Sequence, residues 1–201
     1  MRRNGWLAGV IGMVVLASAL GLGLVGVAAQ DGGDGDSEGG DVDYTWSGDV
    51  NAPDFPQGAD WINVSEPISI DDLRGKVVLL DFWTYGCINC IHNQPAYKDW
   101  HERFSSKGAV VLGIHTPEGE GDRKLESIRK ALHDQGLAYA VAVDNKKENW
   151  TAWANHMWPS VYLIDKEGYV RYWWYGEMNW QGVEGEKWMR SRIQQLLAEP
   201  D

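Results

Sequence analysis

Cysteine is almost missing from this 201-residue chain, which holds only Cys87 and Cys90. Two cysteines cannot build a multi-disulfide scaffold, nor complete a four-thiolate zinc site. Positive charge is also short: 18 basic residues face 29 acidic ones, for a net charge of −11. Sequence-independent binding of DNA or RNA needs a basic face, so nucleic acid is not an expected partner. Internal repeats are lacking, which argues against a solenoid or propeller. What remains is a length suited to one domain with appendages. Tryptophan, by contrast, is abundant, at 12 residues.

The appendages are visible in the charge pattern. Residues 5–29 form a run of 25 uncharged, mostly apolar residues behind Arg2 and Arg3. As a helix such a run reaches ~37 Å, enough for a hydrocarbon core of ~30 Å. Residues 1–30 therefore read as an N-terminal transmembrane anchor or a signal segment. The length favours an anchor over a cleaved secretory signal, whose apolar core usually runs ~7–15 residues. Arginines ahead of the run hold the N-terminus in the cytoplasm. Either reading places the rest of the chain outside it, periplasmic or at the cell surface. Residues 31–54 carry eight acidic residues and no basic one. Rich in Gly and Asp, they cannot bury enough apolar surface to fold, and like charges extend them, so they read as a linker. Residues 55–201 read as the folded domain.

Within that domain, residues 76–83 (KVVLLDFW) are a short, nearly continuous apolar run, the pattern of a buried strand. Residues 109–115, 138–143 and 160–165 repeat it. The turn at Glu167-Gly168 joins the last of these to residues 169–175 as a hairpin. Helical stretches are expected at about 89–107, 122–135, 149–156 and 184–198. Strands alternating with helices predict an α/β fold, with a largely parallel sheet finished by an antiparallel pair.

The chemistry concentrates at residues 80–90 (LDFWTYGCINC). A buried strand ends, a short turn follows and a helix begins near Cys87. Unpaired N–H groups and the positive end of a helix dipole favour an anion at that point, here the Cys87 thiolate. Cys90, one helical turn on, can attack a mixed disulfide formed at Cys87 and release the substrate. A structural disulfide over two intervening residues closes too small a loop to stabilise much. Half a zinc site has no second cysteine pair. Ile91 after Cys90 excludes the c-type haem signature.

These residues resemble the thioredoxin superfamily. Asp81-Phe82-Trp83 with Cys87 and Cys90 is similar to its active-site strand and helix start. Pro95 stands where the family has a helix-kinking proline, and Trp158-Pro159 before SVYLID resembles its cis-proline site. Cys87 and Pro159 are 72 residues apart, and that separation resembles the membrane-anchored TlpA-like and ResA-like branch. The stretches WINVSEPISIDDLRGKVVLLDFWTYGCINC, VVLGIHTPEGE, WPSVYLID and VRYWWYGE are closer still to its DipZ-like subgroup. The resemblance implies a thioredoxin-like fold, with a central mixed sheet flanked by helices and a TlpA-type insertion between the active-site helix and the cis-proline. It implies thiol–disulfide exchange with protein substrates through a redox-active Cys87–Cys90 pair, without a cofactor or bound metal. DipZ-like proteins often carry an electron-conducting membrane domain that this chain lacks, so a membrane or extracytoplasmic redox partner is implied.

Each candidate residue also has a plain packing reading. Asp81, buried in an apolar strand, is either a proton acceptor for Cys90, as its match in thioredoxin implies, or a carboxylate bonded to backbone. Pro159 either presents backbone to a substrate strand or is a turn proline. Trp83 and Tyr85 flank the turn before Cys87, where they contact substrate or pack. Trp158 suits a groove wall. His92 is a solvated helix histidine or, with both thiols, a copper ligand. Glu118 lies in the Gly/Pro loop after His115, where it either reaches the thiols or stays in solvent. Two other functions compete with exchange. One is a peroxidase using Cys87, with Thr84 fitting part of the peroxiredoxin pattern but Leu80 in place of its proline. The other is a copper-binding module of Cys87, Cys90 and His92.

Overall fold

A computed structural model describes residues 50–56 and 58–200. The apolar run at residues 5–29 and most of the acidic linker lie outside the described residues. No helix among the described residues is long and apolar enough to cross a membrane.

Among the described residues, six strands and four α-helices follow one another: β1 (Asp60–Ile62), β2 (Val77–Trp83), α1 (Ile88–Phe104), β3 (Ala109–His115), α2 (Leu125–Gln135), β4 (Ala140–Val143), α3 (Glu148–Ala152), β5 (Ser160–Ile164), β6 (Val170–Tyr175) and α4 (Gly185–Ala198). The strands form one sheet in the order β1-β4-β3-β2-β5-β6. β2 is central, and every one of its seven residues is buried. Its alternation feeds two cores. Val77, Leu79 and Trp83 join the cluster that holds the buried faces of α1, α2 and α4. Val78, Leu80 and Phe82 join a second cluster with Phe55, Ile70, Leu73 and Trp153. A continuous apolar run is what a strand needs when both its faces are covered.

The sheet is mixed rather than largely parallel. β2–β3 and β3–β4 pair parallel. β1–β4, β2–β5 and β5–β6 pair antiparallel. The connections explain the departure. α2, of 11 residues, carries the chain back along the sheet between β3 and β4. α3 has only five residues and, at ~1.5 Å per residue, cannot return it. β5 therefore starts at the end where β2 stops and runs the opposite way, with Ser160 opposite Phe82. That register brings Pro159 alongside the Trp83 end of β2.

The folded unit begins ahead of Phe55. Asn51 bridges Tyr169, the Val170 N–H donates to the Val50 carbonyl at 2.9 Å, and Ala52 is buried. Asp54 Oδ1 accepts from the backbone N–H groups of Phe55 and Ile70, both at 2.9 Å. β1 is an edge strand of three residues, too short to show alternation in the sequence.

Candidate active site

β2 ends at Trp83, and the three residues Thr84, Tyr85 and Gly86 turn the chain into Cys87, the N-cap of α1. Cys87 is extended (φ −80°, ψ 113°), so its side chain lies across the open helix end, and its Sγ accepts the Cys90 backbone N–H at 3.2 Å. This is the Ncap role usually taken by Ser, Thr or Asp, here filled by sulfur. The Cys87 N–H donates back to the Thr84 carbonyl at 3.2 Å, which closes the turn. The Cys90 thiol and the backbone N–H groups of Cys90 and Asn89 all act on the Cys87 sulfur, and they bring its pKa from 9.0 down to about 7 against the opposing effects of burial and the Glu118 charge. Cys87 is half-buried, whereas Cys90 is buried, and both are free thiols. Burial, the hydrogen bond to Cys87 and the Asp81 charge push the Cys90 thiol far up. One sulfur is thus reachable and ionisable, and the other is covered and protonated.

Asp81 lies on the β2 face that meets α1. It is 1% exposed, and burial raises its carboxyl well above the usual range, with a hydrogen bond from Tyr97 pulling the other way. Its Oδ1 has no hydrogen-bond partner among the described residues. A buried carboxyl that is kept neutral part of the time, next to a thiol that must lose a proton, can exchange that proton.

The remaining expected residues gather around the same helix end. The Trp158–Pro159 peptide is cis. The Pro159 carbonyl is taken by the Gly176 N–H at 2.8 Å. Trp158 is part-buried against Trp150, with ring centroids 4.1 Å apart, and its Nε1 donates to the Thr116 carbonyl at 3.1 Å. Lys147 Nζ sits 5.2 Å from the Trp158 ring centroid. Trp83 is 1% exposed and stands edge-on to His115, centroids 5.2 Å apart. Tyr85 stacks on His115 at 5.5 Å and 16°, and its hydroxyl donates to the Gly121 carbonyl at 3.0 Å. Tyr85 thereby ties the loop after β3 to the cysteine turn, and Trp158 ties the start of that loop to the segment before Pro159. Glu118, exposed in that loop, lies near enough to Cys87 for its charge to oppose thiolate formation.

Two expected alternatives meet specific geometry. His92 Nδ1 pairs with Glu177 Oε2 at 2.8 Å, and no group of three metal-ligating side chains occurs among the described residues. Thr84 Oγ1 is buried against His115 Nε2 at 3.4 Å, so its hydroxyl is directed into the core.

The structure adds Tyr97, Asn93, Tyr139 and His115 to the expected residues. Tyr97 and Asn93 have a signal in the sequence: Cys90, Asn93, Tyr97, Trp100 and Phe104 recur at helical spacing and lie on the buried stripe of α1. His115 is wholly buried, and burial pushes its pKa down to about 4. No local pattern announces that, because its neighbours come from three separate segments.

Residues 49–173 match the AhpC/TSA family. DipZ of Mycobacterium bovis is 38% identical over 135 residues, 66% of this chain and 19% of that protein, so the chain spans about a fifth of its length. The thiol-disulfide oxidoreductase ResA of Bacillus thuringiensis is 26% identical over 118 residues, covering 59% of this chain and 65% of that protein. Among solved structures, a thiol-disulfide isomerase from Corynebacterium glutamicum superposes with a TM-score of 0.64 at 25% identity, over 75% of this chain and 99% of that one.

Proposed function

Because the chain belongs to the AhpC/TSA family of thioredoxin-like proteins, we propose that it is a thiol–disulfide oxidoreductase acting on protein substrates. The reading is carried by one observation: an ionisable, reachable sulfur at a helix N-cap stands over a buried thiol in the next turn.

The Cys87 thiolate attacks one sulfur of a substrate disulfide. A Cys87–substrate disulfide forms, and the other substrate sulfur leaves as a thiolate. Cys90 gives its proton to Asp81, and its thiolate attacks the Cys87 sulfur. The mixed disulfide breaks, the substrate is released with two electrons gained, and Cys87–Cys90 becomes a disulfide. Asp81 returns the proton to the departing thiolate. Run backwards, the same steps oxidise a dithiol substrate, and the direction follows the relative potentials.

The substrate strand is proposed to dock beside Pro159, between Trp158 and Tyr85, where an extended segment brings its sulfur to Cys87. The apolar run at residues 5–29 supports an anchor with the domain outside the cytoplasm, where a separate membrane or extracytoplasmic redox partner renews the Cys87–Cys90 pair.

Cys90→Ser tests this reading. The variant is expected to accumulate mixed disulfides on Cys87 with oxidised protein substrates, and Cys87→Ser to accumulate none. Absence of trapped substrate, with fast peroxide consumption and sulfenate at Cys87, would replace exchange with peroxidase chemistry.

A further inference from the structure

The buried carboxyl at the centre of the proposed exchange is not held alone. Tyr97 lies two turns after Cys90 on the same buried face of α1 and is 0% exposed. Its hydroxyl accepts the Asn93 side-chain amide N–H at 3.3 Å. The orientation of that amide is set by main chain. Asn93 Nδ2 donates to the Gly176 carbonyl at 3.1 Å, and its Oδ1 accepts the Met178 N–H at 2.9 Å. Reversing the amide would place a carbonyl against the Gly176 carbonyl and an N–H against the Met178 N–H. Asn93 is therefore a fixed donor toward Tyr97.

A tyrosine hydroxyl has one proton to give. With Asn93 donating into its oxygen, the Tyr97 proton must be spent elsewhere, and the acceptor beside it is the Asp81 carboxylate. We propose that Tyr97 is a positioning residue for the resolving step: Asn93, clamped by the 176–178 loop, turns the Tyr97 hydroxyl onto Asp81, and the carboxylate takes the Cys90 proton from a fixed orientation. This inference rests on the exchange reading above for its step. In that step the Cys90 S–H bond breaks, its proton joins Asp81, and the freed electron pair on sulfur attacks Cys87.

The titratable groups that act with Asp81 are Cys87 at the N-cap of α1, Cys90 and Tyr97 within α1, and Tyr139 from the segment before β4. Tyr139 supplies the control. It is buried in the same neighbourhood, but its hydroxyl has no hydrogen-bond partner among the described residues. Removing either hydroxyl deletes one buried oxygen, and of the two only the Tyr97 hydroxyl is oriented by a side-chain donor.

The test follows the Asp81 carboxyl by carbon-13 NMR in the reduced full-length protein, with the resonance assigned by its loss in Asp81→Asn. Tyr97→Phe is expected to raise the Asp81 midpoint by about one pH unit, since a hydrogen bond to a charged group is lost. Tyr139→Phe is expected to leave it in place. Asn93→Ala, which releases the Tyr97 hydroxyl, is expected to shift it the same way by less, and it carries the test where Tyr97→Phe does not fold. The pH limb for release of substrate from a preformed Cys87 mixed disulfide is expected to move with the carboxyl. An unmoved Asp81 midpoint in Tyr97→Phe, or an equal shift in Tyr139→Phe, would overturn the proposal. The carboxyl titration uses no substrate, so its result stands whether or not the chain exchanges disulfides.

Discussion

The backbone N–H of Cys90 points at the sulfur of Cys87 across 3.2 Å. The second cysteine thus helps to ionise the first in two ways, through its amide and through its thiol. Burial keeps Cys90 protonated, and the same arrangement adds to it, because a thiolate at Cys87 is best served by a donor beside it.

Cys90→Ala separates these contributions. The backbone donor stays and the thiol donor goes, so the Cys87 pKa is expected to rise from about 7 part of the way back toward 9.0. Thiolate absorbance followed against pH measures it. An unchanged midpoint would mean that the helix end alone activates the sulfur.

His115 predicts a signature in acid. Burial depresses its folded-state pKa from 6.5 to about 4, with Asp122 pulling weakly upward. The group stays neutral in the fold while the unfolded chain protonates. Its contribution is therefore complete above pH 6.5 and is lost as pH falls toward about 4. Comparing wild type with His115→Gln by chemical denaturation, the stability advantage of wild type is expected to shrink across that window by up to about 3 kcal/mol. A pH-independent difference would place the histidine outside this account.

Gly113 is the neighbour of Asp81 in the β2–β3 register. A Cβ there would lie 2.9 Å from Trp83 Nε1, 3.1 Å from Val141 Cγ2 and 3.3 Å from Tyr139 Cε2. Gly113→Ala is expected to cost roughly 1–3 kcal/mol, as overpacking of a core does. The denaturation midpoint reports it, and a neutral substitution would show that the side chains around Gly113 can yield.

Tyr85→Phe removes the hydroxyl bond to the Gly121 carbonyl, 3.0 Å and exposed. Global stability is expected to change by about 1 kcal/mol or less. Amides of residues 117–123 are expected to exchange faster with deuterium, since one tie between that loop and the cysteine turn is gone. Exchange at the wild-type rate would mean that Trp158 and the backbone hold the loop alone.

Much of this site was legible because it is local. Asp81, Trp83, Tyr85, Cys87 and Cys90 fall within one strand, one turn and one helix start, where period and capping can be read directly. The strand at Ala109–His115 has the predicted bounds because apolar residues begin and end it sharply. The helix foreseen at 149–156 shrinks to Glu148–Ala152, since Asn155 and Ala154 bend the chain toward Pro159, with Ala154 at φ 47°. Contacts between distant segments left no pattern. Glu177 reaches His92 across 85 residues, and Tyr139 arrives beside Asp81 from the far side of α2. The strand direction of β5 also depended on how far α3 could carry the chain, which hydrophobic periodicity does not encode.

The ionisation of Cys87 is the claim on which the rest depends, and alkylation of the reduced wild-type protein by iodoacetamide reads it directly. The rate is measured from pH 5 to 10 by mass spectrometry of the peptide that carries both cysteines, in quantities small enough to modify one sulfur. Label is expected on Cys87 alone, with a rate midpoint at about 7. Label on Cys90 first, or a Cys87 midpoint at the ordinary 9.0, would contradict it.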